Sequence, residues 1–190
     1  MREAGLGIGW QSGRRTAAVT IAILRAPPHG VIFVERASHL RDHPGQIALP
    51  GGSVDPADGG DLRRTALREL WEEVGVAAER VTIVGELPMV RQRRANNFDV
   101  TPFVAAVAPG PLTIDGSETA AVFTIPLAVV IETLQSGIVH VGELGVETYI
   151  LDYESRRIWG LTGSILRAFI EAWNDPSNPL RASIEGALAA

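Results

Sequence analysis

The run DLRRTALRELWEEVG, residues 61 to 75, does most to limit the folds open to this chain. Asp61 offers a side-chain oxygen to the first turn of a helix, and Gly75 suits the left-handed residue that ends one. Between them Leu67, Leu70 and Val74 recur at three- and four-residue spacings, with Ala66 beside them. One face is therefore apolar and must be covered by another layer.

The flanking segments supply that layer. TAAVTIAILR is β-rich and apolar enough to be a mostly buried strand. Pro27, Pro28 and Gly30 then turn the chain into GVIFVER, a second strand. After the polar ASHLRDHPG comes a short extended piece, QIALP, where Pro50 biases Leu49 away from helix. Past the helix, VTIVGELPMV reads as a bent strand. FDVTPFVAAV reads as another, with Pro102 calling for a bulge or an edge position. GPLTIDGSE is a loop, TAAVFTIPL a short strand, LAVVIETLQ a second helix and ETYILDY a strand. LTGSILRAFIEAW is a last helix, ending before NDPSNP. This order predicts one α/β domain, a mixed sheet covered by helices, without repeats. Residues 1–15 read as a flexible or loosely docked N-terminal arm, 16–175 as the domain and 176–190 as a C-terminal tail.

Composition excludes several classes of function. A length of 190 residues suits a single core. The 17 basic and 22 acidic residues leave a net charge of −5. That does not suggest a general nucleic-acid or membrane binder, although local arginines or metal ions can still hold an anionic substrate. With no cysteine, the chain has no disulfide, thiolate nucleophile or cysteine-ligated zinc. The start, MREAGLGIGWQSGRR, lacks a signal-peptide apolar run, and VFTIPLAVVI is too short for a membrane span. The expectation is a cytoplasmic protein with neither nucleic-acid nor membrane partners and an unspecified oligomeric state.

The chemistry concentrates in RELWEEV. Glu69 and Glu73 stand one turn apart and Glu72 three residues from Glu69, so all three carboxylates can reach one volume. They repel each other unless a cation or proton compensates, and hard divalent cations such as Mg²⁺ prefer oxygen donors of this kind. Arg68, four residues before Glu72, can pair with it and orient it. The heptapeptide alone also fits a solvated helix face. The apolar stripe fixes the opposite face, however, and Gly51-Gly52 lets backbone approach the carboxylates, where a carbonyl could complete a metal shell. Glu118 is a further candidate base or ligand. His39 and His43 lie in a Pro/Gly loop without other His or Cys, which disfavours zinc. Trp71 could cover the helix edge, and Trp159 and Trp173 read as packing residues.

PGG, a spaced acid and RELWEEVG together resemble the signature of the Nudix hydrolase family. Gly52 stands at its first glycine, and Arg68, Glu69, Leu70, Glu72, Glu73, Gly75 and Val76 match its second half. The first half departs: Asp58 replaces the usual glutamate, and nine residues rather than seven separate it from Arg68. VIFVERASHLRDHPGQIALPGG resembles the added signature of the coenzyme A pyrophosphatase branch at Arg36, Arg41, Gly45, Gln46, Pro50, Gly51 and Gly52. VTPFV, Glu118 ahead of Pro126-Leu127, and IWGLTGSIL also look like that branch.

This resemblance implies a Nudix α/β/α sandwich with a mixed central sheet. It implies Mg²⁺- or Mn²⁺-dependent hydrolysis of the diphosphate linkage of coenzyme A or its derivatives. The products would be 3′,5′-ADP and 4′-phosphopantetheine or its derivative. Carried over residue by residue, Glu69, Glu72 and Glu73 are metal ligands, with the Gly51 carbonyl as an additional one. Arg68 orients them, and Glu118 is a second base or ligand. Arg36 and Arg41 are the substrate-binding candidates of the branch signature. Arg91, Arg93 and Arg94 form a looser basic run that suits the 3′-phosphate. Two other readings stay open: a Nudix hydrolase for ADP-ribose, NADH or another nucleoside diphosphate derivative, and a non-catalytic Nudix-fold binding module.

Overall fold

The computed structural model describes residues 14–40, 43–91, 97–114 and 116–190. The chain begins with β1 (Arg15–Leu24), β2 (Gly30–Arg36), β3 (Ile47–Ala48) and β4 (Gly51–Ser53), then enters α1 (Leu62–Val74). β5 (Val81–Glu86), β6 (Val90–Arg91), β7 (Phe98–Val107) and β8 (Thr119–Pro126) follow, and α2 (Leu127–Thr133) continues directly from β8. β9 (Gln135–Val141), β10 (Leu144–Tyr153) and β11 (Arg156–Ile158) precede α3 (Gly160–Asn174) and α4 (Leu180–Ala189).

β1 and β7 run parallel through the middle of the main sheet, in register from Arg15 opposite Phe98 to Leu24 opposite Val107. The sheet order is β3-β2-β1-β7-β5, with β4 beside β1, β6 beside β7 and β8 beside β2. All pairs other than β1–β7 are antiparallel, so the sheet is mixed. β9, β10 and β11 form a second, three-stranded sheet.

Both faces of β1 are buried, which explains its nearly continuous apolar sequence. Ile21 and Ile23 face the core built with Leu166 and Phe169 of α3 and Leu180 and Ile184 of α4. Ala18 and Ala22 face the other way, where Ala66, Leu70 and Val74 of α1 pack. The alternation along β1 thus separates two helical layers, giving an α/β/α sandwich.

The spacing of α1 is realised with one change. Ala66, Leu70 and Val74 are buried, but Leu67 is only half-buried and lines a shallow recess with the exposed Trp71. Glu73 is buried instead, at 8 % exposure. Pro102 is also placed differently from its sequence expectation, being mid-strand in a central strand opposite Val19. Its carbonyl accepts from the Leu87 N–H at 2.9 Å, so its ring nitrogen faces the chain between β5 and β6, outside the paired runs of either strand.

Of the segment read as an arm, Arg14 and Arg15 are described, and Arg15 opens β1. Within the segment read as a tail, α4 buries Leu180 and Ile184. Leu180 comes so close to Gly85 that a β-carbon there would overlap its Cδ1 at 2.5 Å. No helix among the described residues is long and apolar enough to cross a membrane.

Candidate active site

The site begins where β4 lies against β1. Gly51 stands opposite Val19 and Gly52 opposite Ala18. Both positions require glycine for close approach: a β-carbon on Gly51 would strike the Ala18–Val19 backbone, and one on Gly52 would lie 2.6 Å from Glu69 Cδ. The Gly51 N–H donates to Glu73 Oε2 at 2.9 Å.

A tight turn then prepares the helix. Asp55 accepts from the Ala57 N–H at 2.8 Å, while the Asp58 carboxylate accepts from the Asp55 N–H at 2.9 Å. This reciprocal capping box draws Asp58 inward, to 4 % exposure. Asp61 caps α1 by accepting from the Arg63 N–H at 2.9 Å. Gly75 closes it at φ 67°, with the Val76 N–H reaching back to the Leu70 carbonyl at 3.1 Å.

Arg68 joins these pieces. Its Nε donates to Asp58 Oδ1 and its Nη2 to Asp58 Oδ2, each at 3.1 Å. Nη2 also donates to the Ser53 carbonyl at 2.9 Å. Nη1 donates to Glu69 Oε1 and to Glu72 Oε2, both at 2.8 Å. Thr65 Oγ1 completes the Asp58 carboxylate at 2.8 Å. One guanidinium therefore ties the turn, β4 and two helix carboxylates into a single unit.

The carboxylates separate electrostatically. The Arg68 hydrogen bonds outweigh burial at Asp58 and hold it down at about 2. Arg68 itself is held more strongly protonated, chiefly by Asp58. Burial pushes Glu73 up to about 7, against the opposing Gly51 N–H and the positive charge of Arg36. Burial also raises Glu69, with Arg68 pulling the other way. The charge of Glu118 disfavours ionisation at both Glu69 and Glu73, so it acts on the same volume. Asp58 is an ionised anchor, while burial disfavours the charged forms of Glu69 and Glu73 until a cation or proton compensates them.

The structure thus gathers Gly51, Arg68, Glu69, Glu72 and Glu73, with Arg36 and Glu118 acting on Glu73 from the β2 and β8 side. Glu118 is exposed, and its carbonyl accepts from the Ala37 N–H at 2.8 Å. Arg36 ends β2, and its Nε is buried without a protein partner among the described residues. Arg91 is engaged elsewhere, 3.7 Å from Asp99. Arg41, Arg93 and Arg94 lie outside the described residues.

Among the described residues, no three acidic or histidine side chains are gathered at metal-binding spacing. Glu69 and Glu72 are turned onto Arg68, and Glu73 onto the Gly51 N–H. The donor chemistry nevertheless fits a hard divalent cation, because every side-chain donor is a carboxylate and burial has raised the proton affinity of two of them. Sequence reasoning missed the anchoring role of Asp58 and the depth of Glu73. Asp55 and Asp58, three apart just before the helix, are the capping-box signal for the first.

The layers and the site define a class: an α/β/α sandwich whose acidic helix is pinned to a Gly-Gly strand through one arginine. Residues 14–140 match the NUDIX domain, and the chain belongs to that family of hydrolases. It is similar to the Uncharacterized Nudix hydrolase NudL of Salmonella paratyphi B, with 39% identity over 160 residues covering 81% of this chain and 80% of the relative. The NudL of Salmonella newport matches at the same identity and coverage. Among solved structures, a C. elegans Ap4A hydrolase binary complex superposes with a TM-score of 0.55 at 21% identity, covering 82% of this chain and 94% of that one. A MutT/nudix family protein from Enterococcus faecalis gives 0.55 at 16% identity, covering 95% of this chain and 70% of that one. At these identities the two structures speak to the fold alone.

Proposed function

We propose that this Nudix hydrolase cleaves the diphosphate linkage of coenzyme A or a derivative, releasing 3′,5′-ADP and 4′-phosphopantetheine or its derivative. The placement of the described parts of this stretch, residues 36–40 and 43–52, is the observation that carries this reading. The Arg36 N–H donates to the Gln46 carbonyl, and the Gly45 N–H donates back to the Arg36 carbonyl, both at 3.0 Å. Arg36 is thereby tied to Gly45 and Gln46, and Gly51-Gly52 run on to meet Glu69 and Glu73. The reading is supported by the described end of that stretch, Gly51-Gly52, meeting the acidic helix.

Glu69, Glu72 and Glu73, with the Gly51 carbonyl, would hold Mg²⁺ or Mn²⁺, which when bound neutralises phosphate charge and acidifies a coordinated water. Arg68, fixed by Asp58, keeps Glu69 and Glu72 from splaying. Glu73, buried and held by the Gly51 N–H, is the candidate among the three glutamates to receive the water's proton. Glu118 is the second candidate base or ligand, its charge acting on Glu69 and Glu73. Arg36 and Arg41 are assigned to the substrate phosphates. Arg93 and Arg94 stay the looser substrate-binding candidates, read from the basic run of the sequence. Arg91 belongs to that run by sequence but is paired with Asp99.

A metal-dependent hydrolysis panel of coenzyme A, acyl coenzyme A, ADP-ribose and NADH, with products identified by mass, tests this. Coenzyme A or its thioester is expected to lead by at least ~10-fold in kcat/KM. Faster cleavage of ADP-ribose or NADH would reassign the substrate. Tight binding without turnover at saturating Mg²⁺ or Mn²⁺ would make the protein a binding module.

A further inference from the structure

We propose that Arg15, seated on the Phe98 ring, binds the 3′-phosphate of the nucleotide half of the substrate; this rests on the coenzyme A reading above. β1 and β7 start side by side, with Arg15 opposite Phe98 and Thr16 opposite Asp99. Successive residues of a strand point to opposite faces, so the two pairs divide the arginines of this corner. On the Asp99 face, Arg14 Nε donates to the carboxylate at 2.8 Å and Arg91 approaches it at 3.7 Å. One carboxylate serves two arginines there.

Arg15 lies on the other face. Its guanidinium carbon stands 4.6 Å from the centre of the Phe98 ring, and its Nη2 lies 3.5 Å from Ser53 Oγ. Among the described residues it has no carboxylate partner, and it is exposed. The Ser53 carbonyl accepts from Arg68 at 2.9 Å, and Arg68 binds Glu69 at 2.8 Å. Arg15 is therefore joined to the acidic centre through Ser53 and Arg68 without being paired to any of its carboxylates.

Charge decides what such a group can read. The diphosphate belongs over Glu69, Glu72 and Glu73, where a cation and Arg36 can balance it. A second anionic group on the same substrate is repelled by those glutamates and needs a cation set apart from them. A guanidinium lying on an aromatic ring is already ordered, and its donor fork matches two oxygens of a phosphomonoester. In coenzyme A that second anion is the 3′-phosphate of the ribose.

Calorimetric titration of the whole protein with 3′,5′-ADP and with 5′-AMP tests the inference without turnover. Wild type is expected to bind 3′,5′-ADP about tenfold more tightly than 5′-AMP. Arg15→Gln should erase that preference while leaving 5′-AMP affinity within about twofold. Arg15→Lys, which keeps the charge, should retain part of it. Arg157→Gln on β11 removes a charge of the same sign and should retain all of it. The inference is overturned if wild type shows no preference, or if Arg15→Gln keeps it with an unchanged melting curve. A protein that fails to cleave coenzyme A yet shows the Arg15-dependent preference sinks the proposed reaction alone, so the two failures are distinguishable.

Discussion

Arg68 and Asp58 meet through two parallel bonds, Nε to Oδ1 and Nη2 to Oδ2, each 3.1 Å long. Asp58 is 4 % exposed, and Arg68 has three further acceptors around it. Removing the carboxylate leaves a partly buried guanidinium short of its strongest partner. Asp58→Ala is expected to cost about 3 kcal/mol in urea unfolding and to lower turnover as Arg68 loosens. The acid limb follows the same pair. A carboxylate held at about 2 contributes stability that is complete above its ordinary value of 3.8 and is lost as pH falls from there toward about 2. Acid unfolding of Asp58→Ala should lack that component, and matching acid profiles would remove Asp58 from the anchor.

Glu72 is half-exposed and touches the rest of the site through Arg68. Glu72→Gln should leave the melting curve unchanged and cut turnover by at least ~10²-fold, about 2.7 kcal/mol of transition-state stabilisation. Near-wild-type turnover would remove Glu72 from the metal assignment.

Glu73 predicts a pH effect of opposite sign. Its proton affinity is raised from 4.5 to about 7 by burial, so the folded chain holds a proton that the unfolded chain releases. In chelator, its contribution is fully present below 4.5 and is lost as pH rises through about 7. Melting temperature against pH should fall across that window in wild type and be flatter in Glu73→Gln. Equal slopes in the two proteins would show that Glu73 is already ionised.

The glycine contacts give a paired test. Gly52→Ala places a methyl group into the Glu69 carboxylate, so activity should drop at least ~10-fold while the fold persists. Gly186→Ala sits on α4 with nothing within 4 Å, and should stabilise by about 0.5–1 kcal/mol with full activity. If Gly52→Ala retained wild-type kcat, Glu69 would not need its observed position.

Local signals were readable where both ends of an element carry their own chemistry. α1 runs from the Asp61 cap to the Gly75 stop as spacing and capping predict, and β7 occupies the whole of FDVTPFVAAV. Features set by distant chain were not. Glu73 is buried because the Gly51 N–H arrives from β4, which no helical period encodes. Pro102 is tolerated mid-sheet because the facing chain breaks between β5 and β6. α4 carries Leu180, Ile184 and Leu188 at four-residue spacing, but Pro176 and Pro179 just before it obscured the helix. β9, mostly exposed, depends on pairing with β10 rather than on an apolar face of its own.

The parallel pairing of β1 with β7 bears on when the protein becomes competent during synthesis. β1 and the acidic helix leave the ribosome early, whereas β7, which fills the other flank of β1 and brings Phe103 against Ala66 and Ala18, comes later. A nascent chain ending before Phe98 already carries every glutamate of RELWEEV and the whole 36–52 stretch, yet its helix has only part of its floor. The signature is thus translated well before it can be assembled, and a truncated product bearing all of it should be inert.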